Sequence, residues 1–383
     1  MHWKTRLLHM TAKVPEGFRS LVSPVHRGST VVFDRQRDAH DNWRADQEGY
    51  AYGLFGTPTV LELGARIADL EGARHSFVVP SGMAAIALVY LACCRPGDHV
   101  LLPWSAYGPN VELTRFLTDF GVEIEQYDPM LGEDLASRIR ENTALVWVES
   151  PGSITMEVQD VPAIVKAAHE RGVQVALDNT YAAGVLFDAF AAGVDISIQA
   201  LTKYVGGHSD LLMGSVSVRD DSGYERIGST WRLLGMGVSP DDASRALRGL
   251  QTMGLRLEQL ERSTLIVARW LKDQPQIARV LHPALPDCVG HEFWKRDFTG
   301  SASLFSVVFA PQVTAAQVSD LADALQLFDA GYSWGGVRSL AMTYPTRRDL
   351  ARRYGGEILR LNIGLEAPDD LIADLQAALG TLR

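Results

Sequence analysis

The stretch ALDNTYAAGVLFDAFAAGVDISIQALTKYVGGHSD, residues 176–210, decides the fold class. It joins the ends of two apolar runs. VQVAL (173–177) is short, β-rich and bounded by polar residues, the pattern of a strand buried in a parallel sheet. VDISIQAL (194–201) has the same texture. Asp178 ends the first run and Lys203 closes the second. Ligands of open α/β sheets gather at the carboxyl ends of strands, so this acid and this amine are predicted to share one crevice.

Outward from there, the order of elements supports the same class. TPTVLELGARIADLEG (57–72) is amphipathic, with Gly72 as its stop. FVVP, a helix from about Met83, HVLLPW (99–104), ALVWVE (144–149) and an amphipathic stretch over 161–171 follow. This βαβα alternation predicts an α/β fold, a mostly parallel sheet with helices on both faces. Near 240 the texture changes: SPDDASRALRGLQTMGLRLEQLERSTLIVARWLKD (239–273) reads as one long helix or a helix pair. SLFSVVFA (303–310) and ILRLNIGL (358–365) read as strands, with helices over 313–326 and 368–382. The predicted division is an arm over 1–54, a large domain over 55–246 and a smaller C-terminal α/β domain over 247–383. The arm lacks clear periodicity and is suited to lying across a partner subunit.

Composition bounds the function class. Of 383 residues, 46% are hydrophobic and 21% charged, enough apolar material for a sizeable core. A formal net charge of −10 without a basic block argues against nucleic acid and anionic membrane surfaces. No apolar run approaches the roughly 20 residues of a membrane span, and no apolar segment follows the basic start MHWKTRLLHM as a signal peptide requires. Three cysteines, two of them adjacent, give neither a disulfide framework nor metal-ligand spacing. A cytoplasmic protein without a metal is expected.

Several constellations could carry chemistry. A lysine among apolar and glycine neighbours loses its proton readily, because desolvation disfavours the ammonium. The neutral amine attacks carbonyls to form a Schiff base, and an acid beside it suits the ring nitrogen of pyridoxal 5'-phosphate (PLP). Taken alone, a strand-end lysine is more commonly a snorkelling surface residue; the pairing with Asp178 favours a PLP site. PSGMAAIALVYLA (80–92) is a turn opening into a helix, where the amides of Gly82 and Met83 could hold an anion, although Ser-Gly is also an ordinary cap. Tyr107, past a strand end, offers a ring to a planar cofactor or merely flanks a turn. Thr202 offers a hydroxyl to a phosphate. Arg360, inside an apolar strand, wants a carboxylate, either a structural acid or that of an amino-acid substrate. GYSWGG (331–336) suits a tight turn or the wrapping of a ligand.

From about residue 30 to the C-terminus the chain resembles the PLP-dependent enzymes of cysteine and methionine metabolism, and among them the bacterial cystathionine β-lyases. The likeness rests on ESPGSITMEVQDVPAIV (149–165), DNTYAAGVLF (178–187), DISIQALTKYVGGHSD (195–210), HPALP (282–286), GHEFWKRDFTGS (290–301), GYSWGG (331–336) and LRLNIGLE (359–366). It implies a type I PLP fold, with Lys203 as the Schiff-base lysine and Asp178 as partner of the pyridine nitrogen. It also implies Gly82, Met83 and Thr202 at the phosphate, Tyr107 stacked on the ring, and Arg360, Ser333 and Trp334 at the substrate carboxylate. Tyr52 matches a tyrosine that enters the neighbouring subunit's site, which implies dimers paired into a homotetramer. With Lys203 taking the Cα proton and Tyr52 or Lys203 assisting the leaving sulfur, the implied reaction is α,β-elimination of L-cystathionine to homocysteine, pyruvate and ammonia.

The chain departs from the family at three positions. Leu54 stands where relatives carry a phosphate-anchoring arginine, Phe55 replaces an often basic residue in a substrate-facing region, and Ala200 replaces a phosphate-binding serine. Loss of a charged hydrogen bond costs about 1.5–3 kcal/mol. Leu54 and Phe55 keep open elimination from another cysteine S-conjugate or cysteine itself, Leu54 and Ala200 a catalytically weak binding relative, and the shared scaffold a γ-lyase, γ-synthase or sulfhydrylase reaction.

Overall fold

The apolar runs become two sheets joined by one helix. The computed structural model describes residues 2–8, 17, 20–345 and 347–382; the remaining positions of the predicted arm, 1, 9–16 and 18–19, lie outside the described residues. Seven strands form the large sheet: β1 (His75–Val79), β2 (His99–Pro103), β3 (Glu123–Tyr127), β4 (Thr143–Glu149), β5 (Gln174–Asp178), β6 (Ile196–Gln199) and β7 (Gly214–Val218). Their order is β1-β7-β6-β5-β4-β2-β3. The neighbours from β6 to β3 pair in parallel, while β7 runs antiparallel to both β6 and β1. Direction follows from the connections. Helices Gly108–Thr118 and Val161–His169 return the chain for the parallel pairs β2–β3 and β4–β5. Residues 200–213 reverse the chain, and β7 comes back antiparallel to β6. That reversing segment carries Lys203.

Helix Gly82–Cys93 is apolar nearly all round, because it lies against the sheet on one side and other helices on the other. Ser81 caps it, accepting a 3.0 Å bond from the Ala84 N–H. A Cβ on Gly82 would lie 2.7 Å from the Ala200 Cβ, so only glycine lets this helix start so close to the segment after β6.

The small sheet contains β8 (Ile277–Leu281), β9 (Leu304–Phe309), β10 (Asp329–Ala330), β11 (Leu340–Thr343) and β12 (Ile358–Asn362), in the order β10-β11-β12-β9-β8. Its pairs are antiparallel except β10 with β11. Helix Pro240–Lys272 links the two layers without a break, although the sequence left a helix pair open. Ala243, Leu250, Met253 and Leu257 pack into the core of the large sheet. Val267, Ala268 and Leu271 pack into that of the small one. Position 247 falls inside this helix.

Gly249 explains why a glycine sits in mid-helix. Alanine there gains about 1 kcal/mol of intrinsic propensity, but its Cβ would lie 2.1 Å from the Val205 carbonyl oxygen. Overpacking of this kind costs about 1–3 kcal/mol and wins. Gly249→Ala is therefore expected to lower the urea midpoint with an unchanged slope; a midpoint at or above wild type refutes the contact.

Candidate active site

Strand ends, the reversing segment and one loop of the small sheet converge on a cavity of about 330 Å³. Gly82, Met83, Tyr107, Asp178, Thr202, Lys203, Ser333 and Trp334 all line it. Arg360 reaches the same place from β12 through Ser333. Tyr52 does not line it: the residue sits on the arm, 47% exposed.

β6 ends at Gln199, sooner than the predicted run over 194–201, because the backbone turns there. The Lys203 N–H donates to the Ala200 carbonyl at 3.0 Å, and the Gly207 N–H to the Lys203 carbonyl at 2.7 Å. Lys203 thus projects from a turn beyond the strand. The guanidinium of Arg256 braces this turn from behind, donating to the carbonyls of Tyr204 and Gly249 at 2.8 Å each.

The Lys203 ammonium donates to Ser333 Oγ at 2.6 Å and lies 5.3 Å from the centre of the Trp334 ring. Burial, reinforced by the positive charge of Arg360 and opposed by Asp178, lowers its pKa to about 8. Ser333 has a φ of +79°, rare for a residue with a Cβ. The turn is secured by a 2.9 Å bond from the Gly335 N–H to Asn362 Oδ1.

Arg360 is 6% exposed and donates to the Ser333 carbonyl at 3.2 Å, with its guanidinium over the Tyr344 ring. Burial lowers its pKa. Among the described residues it forms no ion pair, so of the two partners the sequence allowed, the structural acid is not found. A guanidinium carries five donors, and among the described residues the one side-chain hydrogen bond of Arg360 is that to the Ser333 carbonyl.

Asp178 Oδ1 accepts from the Thr180 N–H at 3.0 Å. Burial raises its pKa, while Thr180 and Lys203 pull it back down. The Gly82 and Met83 amides lie in the first turn of their helix, where no intrahelical acceptor exists. The proton of the Thr202 hydroxyl is directed to the Met213 carbonyl at 3.2 Å, and its oxygen accepts from the Met213 N–H at 2.9 Å, so Thr202 chiefly shapes the turn. At the three departures, Ala200 presents a methyl group to the cavity beside Gly82, Leu54 packs against Gly237, and Phe55 is buried. Burial takes Phe55 away from any substrate-facing position on this chain.

Among the lining residues that the sequence reading did not single out are Glu149 and Tyr332. Glu149 ends the run ALVWVE as Asp178 ends VQVAL, a signal that was present. Tyr332, 75% exposed, lies inside GYSWGG, the stretch already read as suited to a tight turn or to wrapping a ligand. The donor set fits PLP: a poised amine, an acid in the same cavity, unpaired amides at a helix start, and adequate volume.

Comparison with known proteins agrees with this geometry. The chain is 44% identical over 372 residues to the cystathionine β-lyase of Escherichia coli K12, covering 94% of this chain and 93% of that one. It is 41% identical to the cystathionine β-lyase of Salmonella typhimurium, covering 95% and 94%. Among solved structures, cystathionine γ-synthase from Xanthomonas oryzae pv. oryzae superposes with a TM-score of 0.90 at 28% identity, covering 99% and 98%. The sequence profile of one enzyme family matches residues 4–380, spanning both sheets and every wall of the cavity, and this chain belongs to that family, the Cys/Met metabolism PLP-dependent enzymes.

Proposed function

We propose that the chain is a PLP-dependent carbon–sulfur β-lyase that converts L-cystathionine to homocysteine, pyruvate and ammonia. The observation that carries this reading is the buried Arg360, without an acidic partner among the described residues, set beside the poised amine of Lys203. Together they make a seat for the carboxylate of an amino acid whose Cα–H faces a base. Cleavage at Cβ rather than Cγ is supported by the names of the relatives that are 41–44% identical.

Lys203 would hold the PLP aldehyde, Asp178 the ring nitrogen, Gly82 and Met83 the phosphate, and Tyr107 the ring face. When bound, the cofactor supplies an electron sink for the charge left at Cα. The remaining work belongs to the protein. Arg360 grips the substrate carboxylate with its in-plane donors, helped by Ser333 and Trp334. Its charge also favours the neutral form of Lys203, which takes the Cα proton at Nζ. Ser333 Oγ accepts the Lys203 hydrogen bond and keeps the amine directed into the cavity. The Cβ–S bond breaks with its electron pair going to sulfur, and the proton held on Nζ, or one from Tyr52 of a second copy, neutralises the thiolate. Released aminoacrylate adds water and gives pyruvate and ammonia. Among the described residues no helix is long and apolar enough to cross a membrane. The reading includes a cytoplasmic enzyme whose arms exchange Tyr52 between dimer halves, paired into a tetramer.

Incubation with L-cystathionine is expected to yield homocysteine and pyruvate by mass spectrometry. Cysteine with 2-oxobutyrate makes the protein a γ-lyase instead. Absence of turnover, with the lysine-bound cofactor's visible absorbance intact, moves the substrate to another cysteine S-conjugate. Arg360→Lys, which keeps the charge but loses the two-pronged grip, is expected to cut kcat/KM about 10- to 100-fold; an unchanged value removes Arg360 from carboxylate binding.

In the apo-protein, modification of Lys203 by an amine-selective reagent should rise with pH, with a midpoint near 8. Between about 8 and the free-lysine value of 10.5 the unfolded chain binds this proton and the folded one does not, so the Lys203 contribution raises stability as pH rises through that window. A modification midpoint above 10 contradicts the desolvated site.

A further inference from the structure

Asp178 is not the only acid at the floor of the cavity. Glu149 ends β4 as Asp178 ends β5, and the two are register partners across the parallel pair. Their side chains therefore leave the sheet on the same face, and both line the cavity. Glu149 is 7% exposed. Its Oε2 accepts from the Tyr107 N–H at 2.8 Å, at the turn that opens helix Gly108–Thr118. The Gln159 side chain fixes the Glu149 carbonyl at 2.8 Å and accepts from the Tyr127 hydroxyl at 3.0 Å, so the strand end is held still.

Neighbouring buried carboxyls do not both ionise cheaply. The groups facing Glu149 are Asp178 on β5, the Tyr107 turn, Tyr90 on helix Gly82–Cys93 and Arg347 from the small-sheet side; among the described residues none forms an ion pair with it. Asp178 has the better claim to a negative charge, since it accepts the Thr180 N–H and sees the Lys203 charge. Burial, and then the Asp178 charge, push the Glu149 carboxyl well above the usual range, against the smaller opposing pull of the Tyr107 N–H and Arg347.

We propose that Glu149 is a positioning residue that carries a proton at neutral pH: as an uncharged acid it pins the Tyr107 turn and leaves Asp178 the sole anion at the cofactor's ring nitrogen. The inference rests on the PLP site assigned above. In this arrangement the Tyr107 ring is set by a hydrogen bond that adds no charge to the cavity. A second anion there would hold the Lys203 proton more tightly and reduce the supply of neutral amine.

The test uses infrared difference spectra of the apo-protein, which need no turnover and so stand apart from the question of substrate. At pH 7 the wild-type protein should show a protonated-carboxyl band that Glu149→Gln removes. Asp178→Asn, by deleting the neighbouring anion, should shift the midpoint of that band to lower pH. Lys203 modification in Glu149→Gln should keep its wild-type midpoint. Glu149→Leu, which cannot accept the Tyr107 N–H, should weaken PLP binding about tenfold by equilibrium titration, and Glu149→Gln should restore it. A wild-type spectrum without the band, or a fall in the Lys203 midpoint in Glu149→Gln, overturns the proposal. If Glu149→Gln fails to fold, Asp178→Asn decides: a band unmoved in that variant also overturns it.

Discussion

The desolvated amine of Lys203 is the constraint on which the rest of the site depends. An ammonium in water keeps its proton near 10.5, and a base for a Cα proton needs it released close to neutrality. Burial drives that release, Arg360 reinforces it and Asp178 resists it. The three charges come from three places: a turn after β6, the small sheet through β12, and the end of β5. Neither sheet alone could assemble them.

The architecture follows from that demand. A chain reversal rather than a helical crossover follows β6, so Lys203 sits on a loop that can fold back over the strand ends. A loop needs support, and Arg256 and the close-packed Gly249 provide it from the long helix behind. On the opposite wall, Ser333 holds a backbone conformation that costs of order 1–3 kcal/mol. That conformation aims its hydroxyl at Lys203 and its carbonyl at Arg360.

Much of this was legible in the sequence, for local reasons. Asp178 and Lys203 could be found because short apolar runs end at them, and a strand end is a property of a few adjacent residues. The mostly parallel sheet followed from alternation of elements, and the long helix from its periodicity. What escaped depended on pairing across the chain. Glu149 carried the same strand-end signal as Asp178, yet only the register of β4 with β5 makes neighbours of them. That Arg360 forms no ion pair among the described residues is a fact about everything that surrounds it, which no window of sequence contains. The antiparallel course of β7 and of most of the small sheet depends likewise on how far each connection reaches. Tyr52 is a further case, since its proposed place is on another copy of the chain.

The helix from Pro240 to Lys272 has a meaning for how this protein can be divided. Enzymes with two lobes are commonly separated at a flexible linker, but here the connection is about 50 Å of continuous helix whose two ends are buried in different cores. A fragment ending near 247 would keep the lysine turn and lose both Gly249 and Arg256, the parts of the helix that brace it. A fragment starting there would carry a strip of apolar side chains with nothing to cover it. The two lobes are therefore a single unit of inheritance: they can diverge in sequence, but neither can be exchanged for another lobe without its share of the helix.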